Sequence, residues 1–364
     1  MKIVSQELKE IEEKVYNRER LSKNDGLTLY SSTDILSLGY LANIVRERKN
    51  GNLAYFIRNR HINYSNICVN RCKFCAFSKS IGDEGAYTMT LDEILEKARE
   101  AKGTGITEFH IVGGLHPELP FDFYIEMLEA LKKEFPAVHI QAFTAVEIKY
   151  LSTVSGLSIK DTLLELKKAG LGSLPGGGAE IFSERVRREL CEEKTSGEEW
   201  LEVMEEAHNI GMKSNATMLY GHLEKPEEKI EHLIRLRELQ DRTGGFMSFI
   251  PLAFHPENTQ LKSFNFTTGI DDLKEIAIAR LMLDNFPHIK AFWIMIGLKL
   301  AQISLSFGAD DIDGTVVEEK ITHSAGAQTG QFVSREELVS LIKKAGREPV
   351  ERDTLYNRVS LPAS

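Results

Sequence analysis

The stretch Arg60-His61-Ile62-Asn63-Tyr64-Ser65-Asn66 reads as a short strand and runs into Ile67-Cys68-Val69-Asn70-Arg71-Cys72-Lys73-Phe74-Cys75. That C-x3-C-x2-C cluster uses three of the chain's four cysteines. Structural zinc is usually closed by four ligands, and electron-carrying iron-sulfur clusters normally have four cysteines. Three thiolates therefore point to a metal site that keeps one position open to bind something. The competing readings are buried core thiols, or zinc completed by His61 or Cys191. Three cysteines within eight positions of an otherwise cysteine-poor chain argue against packing, and soft metals select thiolates. Cys191 lies far away in the acidic run Cys191-Glu192-Glu193, where carboxylates disfavour a thiolate, so it is expected to be a non-ligand.

Outward from this loop, β-branched or aromatic runs alternate with amphipathic helical patterns, the signature of βαβ units and a parallel sheet. Eight candidate strands fall at about 60–66, 107–112, 137–142, 171–175, 213–219, 246–253, 289–296 and 311–315. Helix starts are marked at Thr90-Leu91-Asp92-Glu93, Ser196-Gly197-Glu198-Glu199 and Ser334-Arg335-Glu336-Glu337. Two further helices, from Glu7 to about Arg20 and from Ser32 to about Arg48, precede the first strand. The expected fold is α/β, a (β/α)8 TIM-type barrel with an N-terminal helical extension. Residues 1–52 form the extension, 53–346 the barrel and 347–364 a C-terminal tail. The interval between the seventh and eighth strands is short, and a six-unit open barrel would fit the earlier part equally well.

A chain of 364 residues suits one such barrel with extensions. The net charge of −9 and the lack of a long basic run argue against nucleic acid or an anionic membrane as partner, leaving a small molecule. The N-terminus has no apolar signal core and no window of about 18 apolar residues occurs, so the expectation is a cytoplasmic protein without membrane spans. A reducing compartment also protects a thiolate trio from disulfide formation.

Barrel enzymes build their sites at the C-terminal ends of the strands. There the sequence offers Gly113-Gly114-Leu115-His116-Pro117, whose glycines allow close approach of a ligand or make an ordinary turn. It also offers Thr144-Ala145-Val146-Glu147 and Pro175-Gly176-Gly177-Gly178-Ala179-Glu180, with Glu180 able to accept from ribose hydroxyls. His222 and His255 end the fifth and sixth strand units, and Lys299, Asp311 and Asp313 follow the last two. Solvated loop charge explains the aspartates equally well.

The cysteine spacing with Phe74 inside it resembles that of the radical S-adenosylmethionine superfamily. The flanking strings His61 to Tyr64, Cys68 to Phe77, Gly113 to Pro117, Thr144 to Glu147, Pro175 to Glu180, Ser214 to His222, Ile250 to Asn258 and Asp313 to Lys320 resemble its aminofutalosine synthase family. The resemblance implies that Cys68, Cys72 and Cys75 hold a 4Fe-4S cluster whose fourth iron chelates S-adenosyl-L-methionine. It implies cofactor contacts at Phe74, Gly113, Gly114, Thr144 and Glu180, and a 5'-deoxyadenosyl radical that adds to 3-[(1-carboxyvinyl)oxy]benzoate. The acidic residue that usually follows the glycines in the superfamily is Leu115 here, so backbone carbonyls are expected to bind the methionine amine. An external one-electron donor such as flavodoxin or ferredoxin is implied as partner. The substrate carries two carboxylates, and His222, His255 and Lys299 are the expected groups to receive them. A cyclic dehypoxanthine futalosine synthase, an FO synthase-type enzyme and a non-enzymatic iron-sulfur carrier remain the alternatives.

Overall fold

The computed structural model describes residues 4–261, 264 and 266–359. The ends of the extension (1–3) and of the segment read as a tail (360–364) lie outside the described residues. Seven parallel strands form one curled sheet in chain order: β2 (Asn59–Ile62), β3 (Glu108–Ile111), β4 (His139–Ala142), β5 (Ser173–Leu174), β6 (Lys213–Tyr220), β7 (Phe246–Ala253) and β8 (His288–Ile289). A second parallel sheet has the order β10 (Glu348–Arg352), β1 (Leu53–Ile57), β9 (Asp311–Gly314). The chain passes from β1 directly into β2, and Lys290 after β8 bridges Asp311 of β9, so β9 fills the gap and the TIM-type ring closes. The segment after Gly346 is thus more than a tail, since β10 pairs along the whole of β1.

The three helix starts read from sequence are all capping boxes, in which Thr90, Ser196 and Ser334 exchange hydrogen bonds with Glu93, Glu199 and Glu337. The N-terminal region holds a helix more than expected. Ser22 and Asp25 cap Lys23–Ser31 between Lys9–Asn17 and Ile35–Asn50, and the short polar box was not read as a start.

The seventh expected strand, 289–296, is corrected. Strand β8 stops at Ile289 and the short helix Trp293–Ile296 follows, fixed by the Trp293 indole N–H donating to the Gly314 carbonyl at 2.9 Å. A β-branched and aromatic run looks alike in either state.

Between β8 and β9 the ring is stapled by a buried ionic group. Arg280, from the helix Gly269–Met282, donates to Asp310 and to the Gly308 carbonyl. Asp310 also accepts from the Ile289 amide at 2.9 Å and meets His288 Nδ1 at 2.5 Å. Burial works against the Asp310 charge, but Arg280 and His288 outweigh it and hold its pKa below the usual carboxylate range. Removing the carboxylate leaves the wholly buried Arg280 charge uncompensated. Asp310→Ala is therefore expected to cost about 3–5 kcal/mol, read by denaturant unfolding. Since the folded pKa is the lower one, the wild-type advantage should be full above the unfolded value of ~3.9 and fade as pH falls below it. A variant that melts like wild type at neutral pH would refute the staple.

Candidate active site

In each stave alternate side chains point into the barrel. Asn59, His61, Glu108, His110, Gln141 and Lys290 do so, and with the loops above them they line a cavity of about 330 Å³. That volume matches small-molecule sites.

Its mouth is the cysteine loop. The loop is pinned by backbone hydrogen bonds to three surrounding segments: Val69 N–H to Leu115 at 3.0 Å, Lys73 N–H to Leu190 at 2.8 Å, and Gln260 N–H to the Lys73 carbonyl at 2.9 Å. Cys68, Cys72 and Cys75 are free thiols that all line the cavity. Burial pushes the Cys68 thiol up and the Cys75 thiol to about 11. Cys191 is not among the lining residues; it ends the helix Glu184–Cys191, buried next to Cys72. The expectation of a carboxylate-rich setting is corrected here. Glu192 and Glu193 are exposed, whereas Lys194 and Arg187 are the cations that act on the Cys191 thiol.

Gly113, Gly114 and Thr144 are drawn together by Glu147, which the sequence reading gave no role. This buried carboxylate accepts from the Gly113 amide at 3.0 Å, the Tyr64 hydroxyl at 2.9 Å and the Thr144 amide at 2.7 Å. Burial pushes the Glu147 carboxyl up against those hydrogen bonds. The two glycines also have a packing reason. A Cβ on Gly113 would lie 2.5 Å from the Tyr64 ring, and one on Gly114 would lie 2.2 Å from the Ile67 carbonyl oxygen. The turn is bare so that the cysteine loop fits over it.

Gly176 lies against the backbone of Ala216, where a Cβ would approach to 2.8 Å, and Gly178 has φ +86°. These glycines line the cavity and lead to Glu180, itself at φ +47°. The Glu180 carboxylate accepts from Lys194 Nζ at 2.6 Å, and the same ammonium sits 5.3 Å from the centre of the Phe74 ring. Phe74, Glu180 and the cysteines therefore share one end of the cavity, with Lys194 between them.

The three groups expected to meet carboxylates are not brought together. His222 is off the cavity, held by the Leu219 carbonyl at 2.9 Å and by Glu224 at 2.9 Å. Burial disfavours the Glu224 charge, yet His222 and two backbone amides outweigh it and set its pKa at about 2, so this is a structural pair. Lys299 is exposed on the helix Leu298–Ser304. After β8 the lysine that does enter is Lys290, and the misjudged end of that strand explains the error: the first cation past the true strand end is nine residues earlier. His255 lines the cavity and donates Nε2–H to the Met295 carbonyl at 3.0 Å, while its Nδ1 is buried with no partner among the described residues. Burial lowers its pKa, so it presents a neutral acceptor rather than a cation. Asp311 and Asp313 are not solvated. Asp311 receives Arg352 at 2.6 Å and the Tyr356 hydroxyl at 2.8 Å, and Asp313 receives Lys290 at 2.8 Å.

Among the described residues no helix is long and apolar enough to cross a membrane. Residues 62–237 match the Radical SAM superfamily, and residues 243–364 match the CofH/MqnC C-terminal region. An aminodeoxyfutalosine synthase of Thermus thermophilus is 50% identical over 96% of this chain and 95% of its own length. A 5-amino-6-(D-ribitylamino)uracil–L-tyrosine 4-hydroxyphenyl transferase of Methanopyrus kandleri is 43% identical over 84% of each chain. The crystal structure of methylornithine synthase superposes with a TM-score of 0.74 over 93% of this chain and 96% of that one, at 21% identity, and agrees with the barrel described above. With its three-cysteine loop at the barrel mouth, the chain belongs to the radical SAM superfamily and is a radical SAM enzyme of the group that carries the CofH/MqnC C-terminal region.

Proposed function

We propose that the enzyme joins the adenosyl group of S-adenosyl-L-methionine to 3-[(1-carboxyvinyl)oxy]benzoate, with loss of a carboxylate, to form 6-amino-6-deoxyfutalosine for menaquinone biosynthesis. The observation that carries this reading is the 50% identity, over nearly both full lengths, to an aminodeoxyfutalosine synthase. Bound at the mouth, a 4Fe-4S cluster and S-adenosyl-L-methionine would supply a 5'-deoxyadenosyl radical for addition to the enol-ether double bond.

The residues fit such a group. Three free thiols of one loop line one cavity, and thiolates are the donors that soft metals select. Cys68, Cys72 and Cys75 are its ligands, and because burial keeps Cys68 and Cys75 protonated, assembling the cluster releases protons to the solvent. Cys191 lies behind Cys72 and stays a non-ligand. The Gly113–Gly114 turn and Thr144, locked by Glu147, bind the methionine end of the cofactor. Glu180 accepts from the ribose hydroxyls and Phe74 offers a ring face. His255 contributes a neutral Nδ1 acceptor inside the cavity. The electron comes from an external donor of the flavodoxin or ferredoxin type, and the enzyme works in the cytoplasm. The 43% identity to a 4-hydroxyphenyl transferase keeps a tyrosine-derived substrate as the second reading.

Anaerobic reconstitution followed by incubation with S-adenosyl-L-methionine, a one-electron reductant and the enolpyruvyl benzoate should give an adenosylated product by mass spectrometry. Free 5'-deoxyadenosine without adduct would overturn the proposal, and product from L-tyrosine instead would establish the second reading. Cys68→Ala, Cys72→Ala and Cys75→Ala should each lose cluster iron, whereas Cys191→Ala should retain it; iron lost from the Cys191 variant would make that residue a ligand. Glu180→Gln should raise the KM for S-adenosyl-L-methionine while iron content and the cluster spectrum hold, and an unchanged KM would remove its role.

A further inference from the structure

The cavity contains two lysines, one at each end. Lys194 belongs to the cluster end, where Glu180 and Phe74 engage it. Lys290 lies deep in the lumen with a belt of polar side chains that bulky branched residues would ordinarily fill. His61 of β2 and His110 of β3 are register partners, and their rings stack with centroids 4.5 Å apart. His110 Nδ1 meets Gln141 Oε1 at 3.2 Å on the next strand, and the Asn215 amide donates to the same oxygen at 3.4 Å. Across the lumen Lys290 Nζ donates to Asp313 at 2.8 Å.

This belt is incomplete as a closed polar network. An ammonium has three donors, and among the described residues Asp313 is the one hydrogen-bond acceptor that Lys290 finds. Lys290 is only 7% exposed, so bulk water does not serve the others. Asp313 is held at φ +65°, a conformation that L residues adopt at a cost, and that cost places its carboxylate beside the ammonium. Desolvated charge with spare donors facing an open cavity is a site prepared for an anion.

We infer that the belt is a carboxylate subsite: Lys290 binds the ring carboxylate of the substrate, His61 and His110 flank it, and Asp313 positions the ammonium. The inference rests on the substrate proposed above and fixes its orientation. The reacting enol ether must lie at the cluster end, beside Gly113 and Gly114. His110 stands three residues below Gly113, ~10 Å along the strand at about 3.3 Å per residue. From ether oxygen to ring carboxylate the substrate measures roughly 6 Å, and a hydrogen bond of about 3 Å at the carboxylate brings the reach close to that span. The second carboxylate, on the enolpyruvyl arm, stays near the mouth.

The test uses 3-methoxybenzoate, which keeps only the ring carboxylate, and its neutral isostere 3-methoxybenzamide. Each is titrated calorimetrically into the anaerobic holoprotein with S-adenosyl-L-methionine and no reductant. The wild-type chain should prefer the acid to the amide by at least about tenfold, the worth of a charge-assisted hydrogen bond. Lys290→Met should bring the preference close to one. That variant leaves Asp313 buried and unpaired, so the double variant Lys290→Met/Asp313→Asn, which removes both charges, is measured alongside, with thermal melting as the check on folding. A wild-type chain that binds the acid no better than the amide would overturn the subsite without any variant, as would a folded variant that keeps the preference. A chain that shows the Lys290-dependent preference but forms no adenosylated product would leave the subsite standing and remove the named substrate instead.

Discussion

A parallel strand sends alternate side chains to opposite faces, and in a closed ring one face has nowhere to go but the lumen. Nearly every feature of the cavity follows from that constraint. Asn59 and His61 share a face with Glu108 and His110 because β2 and β3 pair in register, and Gln141 joins them through β4. The outer faces carry the apolar residues that seat the helices, such as Phe109, Ile111 and Ile140. The barrel therefore puts its hydrophobic core between sheet and helices and keeps a polar lumen. Such a lumen costs stability, since each polar group taken from water must find a partner. Several do so within the wall, while Lys290 keeps donors to spare.

The mouth obeys a different rule. There backbone, more than side chains, fixes positions: the cysteine loop is held by amides and carbonyls of Leu115, Leu190 and Gln260. Glycine is required because the loop and the turn beneath it approach so closely that a methyl group on Gly114 would collide with the Ile67 carbonyl. A single buried carboxylate, Glu147, then ties the Gly113 amide, the Thr144 amide and the Tyr64 hydroxyl to one point. The result is a rigid rim with its polar atoms already oriented, which lowers the ordering cost of binding.

The barrel was legible because its signals are local and repeated. Capping boxes at Thr90, Ser196 and Ser334 and the strand runs at 213–219 and 246–253 lie close to the observed elements. The cysteines of the mouth were legible as well, being adjacent in sequence. What escaped depends on long-range geometry. Strand β1 and strand β10 stabilise each other across almost 300 positions, and neither has a distinctive pattern alone. Lys290 was passed over for Lys299 because the turn after Ile289 is set by contacts with Asp311 and Gly314, remote in sequence. Cys191 was judged by its acidic neighbours in sequence, although the turn after its helix leaves those exposed and brings Lys194 to the thiol. Glu147 escaped because its role as anchor depends on Gly113 and Tyr64, which only the fold brings to it.

The residues that line the cavity come from both matched stretches of the chain. Cys68, Gly113, Thr144, Glu180 and Lys194 all fall within residues 62–237, the part that matches the radical SAM superfamily at large. His255, Lys290, Asp313 and Glu319 fall within residues 243–364, which match the narrower CofH/MqnC C-terminal region. The boundary falls between β6 and β7, which keep the ring continuous through parallel pairing from Ser214–Phe246 to Tyr220–Ala253. A rim built from backbone and glycine tolerates little variation, because a Cβ on Gly113 or Gly114 would collide with the Tyr64 ring or the Ile67 carbonyl.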